Sequence, residues 1–373
     1  MAPLLASVTD LTYSTAEVLL MPRPLQGALV GFGFIAEKGH VPAYLSAPDA
    51  FEIVAVADVC AARREKARQV LPNARIYADT KTLLTAEAKH LDFIDIATPP
   101  CDHAAIAHAA FEHGLHVFCE KPIATSGADA KSMLDHAQKV KKVFFPSHNY
   151  KHAPVIKAIR SVLESGELGA IHLVTLDTFR TTHAKGVAEW QPDWRRQRKT
   201  SGGGIAMDHG SHTFYLAFDW LAAQPTSIAA KMSNLSAFDT EDNFNCTVTF
   251  PTGIAVAQLT WNAGFRKVIY TIHGANGAIK VEDDDIEIHR KRSGGKVDVE
   301  KLSAASHWMD ASHSEWFKAL HVDFARQIAS GEWVGREAQD AAMCVQLIET
   351  AYASARADGR ELELAPSRTA IAG

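Results

Sequence analysis

One hexapeptide constrains this chain more than any other feature. It is Gly31-Phe32-Gly33-Phe34-Ile35-Ala36, and an apolar run, residues 28–31, leads straight into it. The run reads as a buried strand, and the residues after it as the start of a helix. The first glycine permits a tight strand-to-helix turn. The second lets the backbone approach a pair of phosphates, and the small Ala36 lets the helix pack close to the sheet. The helix N-terminus then offers unpaired N–H groups and a partial positive charge to the phosphates. A lone glycine-rich turn would say little. Here a second apolar run, residues 53–57, ends at Asp58, where a carboxylate can accept hydrogen bonds from adenosine ribose hydroxyls and repel a 2′-phosphate. The order of these parts predicts a dinucleotide site for NAD, with Gly31, Gly33, Phe34, Ile35 and Asp58 at the cofactor. Arg63 and Arg64 leave NADP as the alternative.

The pattern after the hexapeptide alternates between short apolar runs (residues 93–97, 115–119 and 143–145) and helix-period segments such as 104–112 and 128–140. Buried strands alternating with helices imply a parallel sheet with right-handed crossovers. The rhythm changes after about Ser147. A helix over 154–164, a strand-like run over 171–181 and a helix near 205–221 precede a series of strands at 226–235, 244–250, 254–261, 268–273, 278–282 and 286–290. Turn signals such as Pro251-Thr252-Gly253 separate them, which indicates hairpins. Helices near 314–330 and 339–357 close the chain. The fold class expected is α/β. A Rossmann domain over 26–147 would be followed by an α+β domain over 148–373, built on a large, mostly antiparallel open sheet. Residues 1–25 read as an N-terminal extension.

A chain of 373 residues suits two cores. Apolar residues at 47% and charged residues at 22% argue against disorder, and a net charge of -5 argues against nucleic acid as a partner. Five cysteines, none in a CxxC, read as reduced thiols. The apolar stretches near the N-terminus are interrupted by Asp10 and Glu17 and carry no basic residue before Arg23. They therefore do not read as a signal peptide, and no run approaches membrane-spanning length. The expected location is the cytoplasm, with no membrane partner.

Two further segments carry chemistry. The run 115–119 ends in Glu120-Lys121-Pro122, and the C-terminal ends of strands are where open α/β sheets bind ligands. The second segment is Gly202-Gly203-Gly204-Ile205-Ala206-Met207-Asp208-His209-Gly210-Ser211-His212. Its glycines would let the backbone approach a ligand before launching a helix. Asp208 and His212, four apart, would share a helix face, so that the carboxylate stabilises the charged imidazole and fixes its tautomer. His209 should point to another face, and with no HExxH or cysteine pair nearby no metal is expected. Between residues 179 and 200 lie Arg180, His183, Lys185, Trp190, Trp194, Arg195, Arg196, Arg198 and Lys199. Guanidinium forks and aromatic faces suit a polyhydroxylated or anionic ligand, and Arg180, Trp194 and Arg195 are the substrate-binding candidates.

Together these segments resemble the Gfo/Idh/MocA oxidoreductase family, named for glucose–fructose oxidoreductase and inositol dehydrogenase, from about residue 28 to residue 364. Ala97-Thr98-Pro99-Pro100 with His103, Glu120-Lys121-Pro122, Trp194-Arg195 and the stretch 201–212 carry the likeness along with the hexapeptide and Asp58. The resemblance implies that Thr98, Pro99, His103, Glu120 and Lys121 line the cofactor groove and that Asn149 meets the nicotinamide end. Lys121, Asp208 and His212 would form the catalytic constellation. Lys151 stands where many members carry arginine, and Pro100 where asparagine is common. The implied reaction is NAD-dependent oxidation of a secondary alcohol on a sugar, cyclitol or sugar-derived substrate, or the reverse. In that reaction His212 is the first candidate base, oriented by Asp208, and Lys121 polarises the alcohol oxygen. Lys121 as the proton acceptor stays open. An NAD-assisted lyase or glycosidase and a non-catalytic NAD(H)-binding regulator are the alternatives. The family likeness also assigns substrate binding and oligomerisation to the domain over 148–373, and implies a homodimer or homotetramer.

Overall fold

The structure, a computed structural model, describes residues 23–305 and 313–364. The N-terminal extension, apart from residues 23–25, lies outside the described residues. Six strands, β1 (Leu25–Val30), β2 (Phe51–Ala57), β3 (Arg75–Tyr77), β4 (Phe93–Ile96), β5 (His116–Cys119) and β6 (Phe144–Pro146), form a sheet in the order β3-β2-β1-β4-β5-β6. Every pairing in it is parallel. Ala28, Leu29 and Val30 are buried on both faces of β1 because helices cover both sides. Ile106, Ala107, Met133 and Ala137 pack on one side, and Val41, Tyr44 and Ala67 on the other. β3 has only three residues, none of them fully buried, which is why no apolar run marks it in the sequence.

The strand order reverses between β1 and β4, so the crevice beyond their C-terminal ends lies at a topological switch point. The closing helices return to this sheet. Phe317 and Phe324 of Ser314–Ser330 join one core layer, and Ala338, Ala341 and Val345 of Arg336–Arg356 join the other.

The second sheet contains β7 (Ile171–Phe179), β8 (Ser227–Ser233), β9 (Asn243–Phe250), β10 (Gly253–Thr260), β11 (Lys267–Gly274), β12 (Gly277–Glu282), β13 (Asp285–Lys291), β14 (Val297–Ser303) and β15 (Leu362–Glu363). Their order is β14-β13-β12-β11-β7-β10-β9-β8-β15. The sheet is antiparallel except where β7 runs parallel to β10. Helix Ile205–Leu221 lies in the connection between those two strands and packs on the inner face. Val268, Tyr270 and Ile272 alternate inward on β11, the period a half-buried strand requires. β14 and β15 extend the sheet beyond the strands expected from the sequence.

Candidate active site

At the switch point, Gly31 adopts φ +90, and a Cβ there would stand 2.7 Å from the Ala97 carbonyl oxygen. Any other residue would push β1 and β4 apart. A Cβ on Gly33 would meet nothing within 4 Å, so the turn leaves open space where a pyrophosphate needs to come close. The chain is helical from Phe34 onward. The Asp58 carboxylate accepts from the Phe32 N–H at 2.6 Å and the Cys60 N–H at 2.7 Å. A carboxylate accepts about four hydrogen bonds, so capacity remains for ribose hydroxyls. Arg63 is buried, donating to the Phe32 carbonyl and pairing with Glu37, while Arg64 donates to the Asp58 and Val59 carbonyls. Both guanidiniums are thus committed within the protein. Thr98 lines the cleft, and its buried Oγ1 has no hydrogen-bond partner among the described residues. These residues fit a dinucleotide.

Gly31, Gly33, Phe34, Ile35, Asp58, Thr98, Pro99, Glu120, Lys121 and Asn149 all line one cleft of about 710 Å³. His103 does not share that wall. It is buried behind it, with Nδ1 3.0 Å from the Pro122 carbonyl and Nε2 2.8 Å from the Thr98 carbonyl. Burial lowers its pKa, so the ring is neutral and its single N–H donates to one of these two carbonyls at a time. Pro100 opens helix Pro100–Glu112, where a missing N–H costs nothing. Lys151 lies outside the cleft lining, buried among Glu337, Asp219 and Asp340.

Lys121 ends β5 and reaches the first turn of helix Ile205–Leu221. Its Nζ donates to the Asp208 carbonyl at 2.8 Å and stands 3.4 Å from the Asp208 carboxylate. Arg195 Nε approaches the same carboxylate oxygen at 3.4 Å. Burial works against the charge on Asp208, but Lys121, Arg195 and His209 hold its carboxyl well below the usual range.

The expected Asp208–His212 pairing does not form. His212 Nδ1 lies 2.7 Å from the Tyr215 hydroxyl, and its ring stacks on Tyr150 at 3.7 Å. Burial, Lys121 and His209 push His212 well below its ordinary value, so the imidazole is neutral. Sharing a helix face is not contact: the Asp208 carboxylate turns toward the cations that arrive from β5 and from the Trp194–Arg196 turn. His209 also departs from expectation and lines the cleft, 3.7 Å from Asp208 and 3.4 Å from Arg180 Nε. The glycines before it serve the fold. A Cβ on Gly203 would collide with the Tyr352 hydroxyl and one on Gly204 with the Glu241 carbonyl. The close approach at these two positions is to the chain itself.

At the far end stand Arg180, Lys185, Trp190, Trp194 and Arg195, together with Tyr150, Arg266 and His313, which no sequence motif marked. Arg195 stacks on Trp194 at 4.2 Å. Arg196 turns away to Asp242, and the Arg198 guanidinium to the Asp239 carbonyl and the Glu241 carboxylate.

Behind Lys121 lies a second arrangement the sequence hid. Helix residues Ala36–His40 form a π turn that delivers His40 to the core. Its Nδ1 is 2.7 Å from Asp95 and its Nε2 3.0 Å from Glu120. Glu120 also accepts from the Ser147 hydroxyl and the Lys121 N–H. Burial would lower the His40 pKa, but the two carboxylates raise it to about 10. His40, Asp95 and His321 have ligand-type atoms within 4.8 Å of one another. Both His40 nitrogens, however, already face carboxylates, so the group reads as an imidazolium between two anions.

An α/β unit with the Rossmann strand order, joined to an open antiparallel sheet across a shared cleft, defines a dinucleotide-dependent oxidoreductase. Residues 25–148 match the family model for the Gfo/Idh/MocA oxidoreductases with an NAD-binding Rossmann fold, and residues 156–280 match the family's C-terminal domain. The chain belongs to this family and is an NAD-dependent oxidoreductase. It is 28% identical to D-apiose dehydrogenase of Paraburkholderia graminis over 96% of this chain and 94% of that protein. It is 26% identical to levoglucosan dehydrogenase of Pseudarthrobacter phenanthrenivorans over 68% of this chain and 73% of that protein. A solved levoglucosan dehydrogenase in complex with NADH superposes with a TM-score of 0.81 at 21% identity, over 92% of this chain and all 100% of that one, which establishes the shared fold.

Proposed function

We propose that this protein oxidises a secondary hydroxyl of a sugar, cyclitol or sugar-derived compound. The observation that carries the reading is convergence. Lys121 from the parallel-sheet unit and His212 from the helix over the second sheet face one cleft, whose other end is the dinucleotide turn. NAD, when bound, supplies the hydride acceptor. The Gly31–Ala36 turn and Thr98 hold its phosphates and ribose, and Asp58 selects the unphosphorylated adenosine ribose. Lys121, anchored by Asp208, binds the alcohol oxygen and stabilises its developing negative charge. His212, neutral, donates its Nδ1 hydrogen to the Tyr215 oxygen and takes the alcohol proton at Nε2. Trp194 and Arg195 hold the remainder of the substrate.

The names of the relatives favour sugars as substrates. The test is absorbance at the reduced-nicotinamide band with a panel of sugars and cyclitols. Net NADH formation supports simple oxidation. Product formation without net NADH means that oxidation is transient, as in a lyase. Absence of both returns the protein to the regulator class.

Two coarser expectations belong with this reading. The five unpaired cysteines favour the cytoplasm, and no described helix is long and apolar enough to cross a membrane. The outer face of the second sheet carries Leu173, Ile254, Val256 and Ile269, with Ile254 42% exposed. Copies of the chain pairing through this face would cover it, and light scattering that returned a monomer mass would remove the proposal.

A further inference from the structure

The substrate end of the cleft is cationic. Lys121, Arg180, Lys185, Arg195 and Arg266 line it, against Asp208 and, beside Lys121, Glu120. Lys121 and Arg195 share the Asp208 carboxylate. Arg180 follows β7, held by backbone hydrogen bonds from its N–H to the Thr260 carbonyl and from the Ala263 N–H to its own carbonyl. Its side chain makes one hydrogen bond among the described residues, from Nε to His209 Nε2 at 3.4 Å. Burial and the charge of Arg180 push His209 down to about 3, so its ring is neutral and accepts that bond. Arg266, whose pKa is lowered by burial and by Arg180, adds a second guanidinium to the same wall.

Among the described residues, Arg180 thus brings its positive charge to the cleft with the neutral His209 ring as its one side-chain hydrogen-bond partner, while the Asp208 carboxylate, 3.7 Å from that same imidazole nitrogen, is shared by Lys121 and Arg195. The Nε bond leaves both terminal amino groups unassigned, and a guanidinium presents them as a fork suited to two oxygens of one anion. A neutral hydroxyl would use one arm and leave the charge uncompensated in a part-buried site.

We propose that the substrate carries an oxyanion group, a carboxylate or a phosphate, and that Arg180 binds it through its two terminal amino groups. The inference rests on the oxidoreductase reading for the position of the reacting carbon. That carbon sits by Lys121 and His212, with the anion directed away from the nicotinamide end.

The test titrates the enzyme–NADH complex by calorimetry with D-glucose, D-glucuronate and D-glucose 6-phosphate, a set that differs in one substituent. At least one charged ligand should bind about tenfold or more tightly than glucose, the scale of a charge-assisted pair. Preference for glucuronate assigns a carboxylate, and preference for the phosphate ester a phosphoryl group. Arg180→Gln should abolish the advantage, Arg180→Lys should restore part of it, and NADH affinity should stay unchanged in both. Equal binding of all three ligands, or an advantage that survives Arg180→Gln, overturns the proposal. Because the readout is binding, failure of NADH formation in the activity panel would leave it standing.

Discussion

The Tyr215 hydroxyl lies 2.7 Å from Nδ1 of His212, one helical turn away on the same helix. The imidazole in the cleft is thus oriented from its own helix, while Asp208 serves the cations opposite. The Tyr150 N–H also reaches the Tyr215 oxygen, at 3.3 Å. Tyr215→Phe should lower kcat about tenfold or more, the scale of a lost orienting contact, with the KM for NAD unchanged. Wild-type kcat in the variant would mean that this hydrogen bond does not set the tautomer.

Lys121→Ala and His212→Ala should each slow turnover by about a hundred- to ten-thousand-fold. NAD affinity should change little, because the pyrophosphate and adenosine are held by the Gly31 turn and Asp58. Stopped-flow NADH formation together with NADH titration separates the two effects. Full turnover in both variants would place the chemistry elsewhere.

Proton acceptance by His212 has a pH signature. Burial first, then Lys121 and His209, lower its pKa from 6.5. The neutral base is therefore present through neutral pH, and the acidic limb of kcat/KM should fall below pH 6.5. A limb well above neutrality would assign the proton to Lys121.

Asp58→Ala should weaken NAD binding and raise the relative affinity for NADP, since the carboxylate that repels a 2′-phosphate is gone. Arg63 and Arg64 are tied to backbone carbonyls in the folded protein. Tighter binding of NADP than of NAD by the wild type would contradict this arrangement.

The Asp95–His40–Glu120 bridge predicts a pH-dependent stability. The folded-state pKa of His40 is raised from 6.5 to about 10. Its contribution is therefore fully present below pH 6.5 and is lost as pH rises toward 10. His40→Gln leaves two buried carboxylates without their cation, a change on the order of 3 kcal/mol. The gap in denaturation midpoint between wild type and variant should narrow from pH 6.5 to pH 10, and a constant gap would show that His40 is not charged.

The dinucleotide half was legible because its chemistry is local. A strand, a glycine turn and a helix start are neighbours along the chain, so Gly31, Gly33 and Asp58 announce themselves through spacing. The alternation of buried residues in β9 to β13 revealed the second sheet for the same reason. A three-residue element such as β3 is too short to carry such a pattern. Side-chain partnership was not legible at all. Asp208 and His212 are four residues apart, yet burial and the cations arriving from β5 and from the Trp194–Arg196 turn determine whom each one meets. His40, Asp95, Glu120 and His321 come from segments far apart in sequence, and only the return of helix Ser314–Ser330 to the first sheet brings His321 to that core. Arg180 looked no different from Arg196 and Arg198 in one basic stretch. The fold paired those two with Asp242 and Glu241 and left Arg180 facing the cleft. Local backbone geometry follows from neighbouring residues, whereas the charge each ionisable group faces depends on elements that meet only after the chain has packed.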